Sequence, residues 1–219
     1  DLHSFPTRRS SDLSSYGDTW ISVAKGLSSA ENIRISPNGF QVAFSKHVHM
    51  HDVMGKDKYK DVPKTTAQIY TSLNYRHWDT WYDGKISHLF VAPINNIEAA
   101  KDIVKDLPFD VPTKPFGGTE DFIWSPNSQN IVFVTKAKFG TEYAISTNTD
   151  IFQYNLQSEK TTNLSEGMYG YDLNPRFSED GRYLAWLSMA RDGYEADKND
   201  VIVYDFQTSQ MRNLTQYWN

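Results

Sequence analysis

One phrase is written three times in this chain, and it limits the possible folds more than any other feature. It runs first as Asn32-Ile33-Arg34-Ile35-Ser36-Pro37-Asn38-Gly39, continuing into Val42-Ala43-Phe44-Ser45. It returns as Asp121-Phe122-Ile123-Trp124-Ser125-Pro126-Asn127-Ser128 with Ile131-Val132-Phe133-Val134, and again as Asn174-Pro175-Arg176-Phe177-Ser178-Glu179-Asp180-Gly181 with Tyr183-Leu184-Ala185-Trp186-Leu187. Each copy is an apolar pair, a polar turn opened by serine, and a second alternating apolar run, which is the pattern of a β-hairpin. The second and third copies are followed by a third run, over 150–156 and 200–206. A fourth comes at Thr161-Thr162-Asn163-Leu164-Ser165 and Met211-Arg212-Asn213-Leu214-Thr215.

Four short strands repeated every 40–50 residues or so make the blades of a β-propeller. The spacing places blades at about 32–106, 120–168 and 173–216. The first is stretched by an insertion at about 47–84 between its second and third strands, and a remnant of a preceding blade is expected at 20–27. The fold class expected is all-β, a partial propeller of about three four-stranded blades plus that remnant. A β-sandwich also uses short alternating strands, but the threefold hairpin grammar weighs against it. Closed rings have roughly 4–8 blades, so the ring is expected to be incomplete. Residues 14–219 alone are then expected to be poorly soluble or oligomeric, with uncovered edges and faces.

Composition removes other classes. The 219 residues include no cysteine, which excludes disulfides, thiolate metal sites and a thiol nucleophile. A net charge of −5 argues against a broad nucleic-acid footprint. The 14% aromatic content suits strands. No apolar run approaches the roughly 20 residues of a membrane span. Residues 1–13 have no structural period and no apolar stretch behind Arg8-Arg9, so they do not read as a leader peptide. They match one reading frame of a sequencing-library adapter, which leaves 14–219 as the authentic segment and its own gene start missing.

The insertion narrows the family. Tyr75-Arg76-His77-Trp78-Asp79-Thr80-Trp81-Tyr82-Asp83-Gly84-Lys85 followed by Ser87-His88-Leu89-Phe90-Val91 resembles a signature of bacterial dipeptidyl-peptidase and acylaminoacyl-peptidase proteins of the prolyl oligopeptidase family. The stretches 114–122, 146–152 and 189–197 resemble the same branch, in the same order. The resemblance implies an N-terminal propeller covering a C-terminal α/β-hydrolase domain that carries a Ser, Asp and His triad. It implies hydrolysis near peptide N-termini through an acyl-enzyme, with an oligopeptide substrate and no cofactor. It also suggests a periplasmic or secreted compartment, although a cytoplasmic one stays open. The alternative reading is a non-enzymatic bacterial propeller serving as a periplasmic protein-binding scaffold, and fold alone does not decide between the two.

No Gly-x-Ser-x-Gly elbow occurs. The nearest string, Gly26-Leu27-Ser28-Ser29-Ala30, joins two blades with no helix after it, so this segment is expected to be catalytically silent and the hydrolase domain to lie beyond Asn219. His47, His49 and His51 alternate and would share one face of an extended strand, but only Asp52 adjoins them and no metal site is expected. Four groups are candidates for holding substrate. Glu120 and Asp121 are adjacent carboxylates at a blade entrance. The resemblance implies a propeller carboxylate pair that holds the substrate ammonium, but the motif around that pair does not match here, and solvated turn residues are the favoured reading. Glu195, with Asp197 near it, lies in a polar loop of the last blade. Arg76 is a clamp for a carbonyl or carboxylate, or an anchor packed among His77, Trp78 and Trp81. Asn163 and Asn213 head glycosylation-type sequons at equivalent blade positions, where blade geometry explains them without glycans.

Overall fold

The computed structural model describes residues 14–16, 19–21 and 29–218, except 74 and 106. The adapter-like segment 1–13, most of the expected remnant at 20–27 and residues 26–28 of the Gly26-Leu27-Ser28 string lie outside the described residues. Strands β1 (Ser14–Tyr16) and β2 (Thr19–Ile21) pair with each other.

Three antiparallel four-stranded sheets follow, each with its strands in sequence order. The first holds β3 (Glu31–Ile35) and β4 (Gln41–His49), then β7 (Lys85–Pro93) and β8 (Lys101–Asp102), with the small hairpin β5 (Arg76–His77) and β6 (Thr80–Trp81) inside its insertion. The second holds β9 (Phe122–Trp124), β10 (Asn130–Thr135), β11 (Asp150–Asn155) and β12 (Thr161–Asn163). The third holds β13 (Asp172–Phe177), β14 (Tyr183–Ser188), β15 (Asp200–Asp205) and β16 (Gln210–Asn213). These are three propeller blades. One boundary shifts from the sequence expectation. The insertion opens at Met50 and not at 47, because β7 pairs every residue of β4 through His49, with His47 opposite Ser87 and His49 opposite Lys85. Two helices also appear, α1 (Gly55–Lys58) and α2 (Gly140–Ile145), each too short to show a helical period in the sequence.

The repeated phrase has one physical cause. Ser36, Ser125 and Ser178 each donate from Oγ to the side chain two residues on, Asn38, Asn127 or Asp180, at 2.7, 2.7 and 2.6 Å. Each hydroxyl also accepts from the backbone N–H five residues on, at 2.9 Å in all three turns. Gly39, Ser128 and Gly181 close the turns at φ of 76°, 60° and 70°. The sequons repeat for a similar reason. Ser165 and Thr215 accept the N–H of Ile151 and Val201, while the Asn163 and Asn213 side-chain oxygens accept the N–H of Ser165 and Thr215. Both pairs fasten the fourth strand to the third.

The sheets stack through two apolar layers. Ala43, Leu89 and Val91 of the first blade meet Phe122, Ile131 and Phe133 of the second. Ile123, Val132, Val134 and Ile151, from the other face of the second blade, meet Leu184, Trp186 and Ile202 of the third. The second blade is therefore buried on both faces, which is why β10 carries an unbroken apolar run instead of alternation. Trp186 and Asp172 join the second layer: the indole N–H donates to the Asp172 carboxylate at 3.1 Å, and both residues are fully enclosed. Asp172 is in turn bound across the blade boundary, its backbone N–H and C=O both engaging the Thr149 hydroxyl at 2.9 and 2.7 Å.

Candidate functional site

Up-and-down sheets put their loops on two opposite faces. The serine turns open on one face. The connections between second and third strands, and from each blade to the next, open on the other. That second face collects the insertion 50–84, the segment 103–121, the β10–β11 loop 136–149 and the β14–β15 loop 189–199. Arg76, Glu120, Asp121 and Glu195 all belong to these segments, so topology brings every candidate from the sequence to a single face.

Their environments differ. The Asp121 carboxylate is buried and accepts both the N–H and the hydroxyl of Thr113, at 2.8 and 2.6 Å. Burial raises its pKa despite those bonds. A Cβ on Gly117 would come within 2.2 Å of that carboxylate and 2.3 Å of the Thr113 carbonyl, so the turn closes only around glycine. Glu120, its neighbour, is half-buried and has no hydrogen bond or ion pair among the described residues. It stands near Arg34, whose pKa is lowered by burial and by the charge of Arg176, while Glu120 opposes that shift. Arg34 and Arg176 occupy the same place in the repeated phrase, two residues before the turn serine, and this was the available signal for a pair that composition does not reveal.

Glu195 is exposed, and its charge acts on Lys136 and Tyr171. Asp197 is tied to Arg191 by two bonds of 3.0 and 2.9 Å, which hold its pKa down at about 2. Its loop is latched to the second blade by Asp192, which accepts from the Ser146 hydroxyl and from the N–H groups of Thr147 and Asn148. Arg76 lies 5.2 Å from the Trp81 ring and donates from Nε to the Trp78 carbonyl at 2.6 Å, so it anchors the hairpin with part of its donor set still facing outward.

The insertion, the 108–114 connection and the β10–β11 loop enclose a cleft of about 1240 Å³. Tyr70 and Trp81 stack along it at 6.0 Å, and Phe139 and Tyr143 of the β10–β11 loop also line it. The Tyr82 hydroxyl bonds His51 Nδ1 at 2.7 Å, and its pKa is pushed up to about 12 by burial and then by Asp110 and Asp83. The three alternating histidines diverge: His49 bonds Asp52 and His51 bonds Tyr82. No cluster of three metal-ligating side chains occurs among the described residues.

One buried histidine was not singled out in the sequence. His88 bonds Asp102 through Nδ1 at 2.7 Å, and its Nε2 has no partner among the described residues. Ser87 beside it is no third member of a triad. Successive strand residues point to opposite faces, and the Ser87 hydroxyl donates to the Val111 carbonyl.

A scan against protein families returns no match. Among curated proteins, dipeptidyl-peptidase 5 of Porphyromonas gingivalis is 46% identical over 181 residues, which is 82% of this chain and 26% of that protein. Over this span the chain is similar to the dipeptidyl-peptidase 5 proteins. That of Porphyromonas endodontalis is 40% identical over 164 residues, 74% of this chain and 23% of its own length. The chain thus spans about a quarter of the curated relatives it matches. A solved prolyl endopeptidase aligns over 89% of this chain and 24% of its own, at 13% identity and a TM-score of 0.48. The 181 shared residues are 82% of this chain, so most of the bladed segment described above falls within the match. No helix among the described residues is long and apolar enough to cross a membrane.

Proposed function

We propose that this propeller segment gates the active site of a serine peptidase that removes dipeptides from the amino ends of peptides. The observation that carries this reading is the 46% identity over 181 residues to dipeptidyl-peptidase 5. In this reading the catalytic serine lies outside residues 14–219, and the insertion face is turned toward it. Glu120 and Glu195 are the two candidate carboxylates on that face left uncommitted, so they are assigned to the substrate ammonium, where a charge-assisted contact fixes the distance to the cut bond. Asp121 supports Glu120 by closing the turn around Gly117. Arg76 is assigned to a carbonyl or carboxylate of the peptide. The compartment in this reading is periplasmic or secreted.

The test uses the intact protein that carries this chain, incubated with a hexapeptide bearing a free amino end and with its N-acetylated twin. Mass spectrometry is expected to show successive dipeptides from the free peptide and none from the acetylated one. Release of single residues, or no hydrolysis of either peptide, overturns the reading.

A further inference from the structure

The protein is acidic overall, at −5, yet the cleft of about 1240 Å³ on the insertion face is basic. Lys46, Lys58, Arg76, Lys85, Lys114 and Lys138 line it, against the carboxylates Asp52, Asp83 and Asp110. All three carboxylates are already engaged. Asp52 bonds His49 at 2.9 Å, Asp83 stands 3.5 Å from Lys85, and Asp110 stands 3.0 Å from Lys114 while accepting the Ser87 N–H. Lys46, Lys58, Lys138 and Arg76 therefore have no ion-pair partner among the described residues. The phenols add no anion near neutral pH, since Tyr82 and Tyr143 are both pushed up to about 12 by burial.

We propose that this cleft receives the carboxylate-bearing stretch of a peptide, and so selects peptides with acidic residues downstream of the amino end. The proposal rests on the peptide-processing reading above and adds a substrate class to it. The four cations sit on separate elements: the end of β4, α1, β5 and the approach to α2. Such spacing suits an extended chain with charges at intervals, whereas a single phosphate needs donors that converge on one point. The Tyr70–Trp81 stack gives the intervening side chains an apolar wall. With Glu120 and Glu195 on the same face, the peptide meets carboxylates at its amino end and cations beyond it, which sets its direction of entry.

Binding and cleavage are measured separately on the intact protein. In calorimetry, an N-acetylated peptide with two glutamates is expected to bind about fivefold more tightly than its glutamine twin, the gain of about two exposed ion pairs. The preference should vanish in 0.5 M salt and in the double variant Lys58→Gln with Lys138→Gln. Equal affinity of the two peptides, or no binding of either, overturns the proposal. Dipeptide release from free-amine versions of the peptides is expected to favour the glutamate form. Equal release from both overturns the proposal and leaves the peptidase reading intact. No release from either, with glutamate-dependent binding preserved, overturns the peptidase reading and leaves the cleft's preference standing.

Discussion

Replacing Trp186 with alanine will destabilise the second and third blades by about 3–5 kcal/mol, the usual cost of removing a large buried aromatic side chain. The indole is 1% exposed and fills the layer between Val132, Val134 and Ile151 on one side and its own blade on the other. Its removal opens a cavity at the only apolar contact layer these two blades share among the described residues. It also strips the Asp172 carboxylate of its indole donor, and an unsatisfied buried polar group adds to the cost. Amide hydrogen exchange reads the effect directly: the slowest amides of β10, β11 and β14 are expected to exchange at least a hundredfold faster, on the order of 3 kcal/mol. Trp186→Phe separates the two contributions, since it keeps most of the volume and loses only the N–H, and should fall well short of alanine. An alanine variant with unchanged exchange in these strands would mean that the blades do not lean on this layer.

The second large effect is a pH dependence set by Asp172. Burial, the leading cause, raises its pKa from 3.8 to about 6, against the lowering influence of Ser188, Ser165 and Trp186. One carboxylate oxygen has no partner among the described residues. Between about pH 4 and 6 the folded protein keeps a proton that the unfolded chain has released, so stability falls as pH rises through this window. The loss is complete above pH 6 and corresponds to about 3 kcal/mol. An asparagine in place of the acid carries no charge to bury, and its oxygen still accepts from the indole. Asp172→Asn is therefore expected to gain stability relative to the native protein at pH 7.5 and to lose that advantage by pH 4. Asp121 and Asp150 are also raised by burial and leave a residual slope of the same sign in both proteins. The difference between the two denaturation curves isolates residue 172. A variant equally destabilised at every pH would show that the carboxylate is ionised and satisfied in the fold.

The blades were legible because their signals are local and repeated. Ser36, Ser125 and Ser178 organise their turns through a side chain two residues on and a backbone N–H five residues on, so the same chemistry must recur in the same order. The Asn-Leu-Ser and Asn-Leu-Thr strands repeat because each hydroxyl fastens the strand beside it. The insertion face was harder to read. Its segments have no period, and its partners lie far apart in sequence, as with Asp192 and Ser146 or Asp110 and Ser87. At 120 and 121 the two carboxylates look like one unit in the sequence, yet the Gly117 turn buries Asp121 and leaves Glu120 half-buried with no hydrogen bond among the described residues. His88 escaped notice because a lone histidine in an apolar run shows nothing of Asp102 on the next strand. The cationic cleft was equally hidden, since its lysines are spread from 46 to 138 in a chain whose total charge has the opposite sign.

If the insertion face meets the amino end of the peptide, a bound product must leave its mark there and nowhere on the opposite face. Hydrogen exchange of the intact protein is measured with and without a saturating dipeptide product, Ala-Ala with a free amino end. Slowed exchange is expected in 50–84, 108–121, 136–149 and 189–199, with the serine turns at 36–41, 125–130 and 178–183 unchanged. Protection confined to the serine turns, or absent from both faces, would contradict the assignment of this face to the substrate.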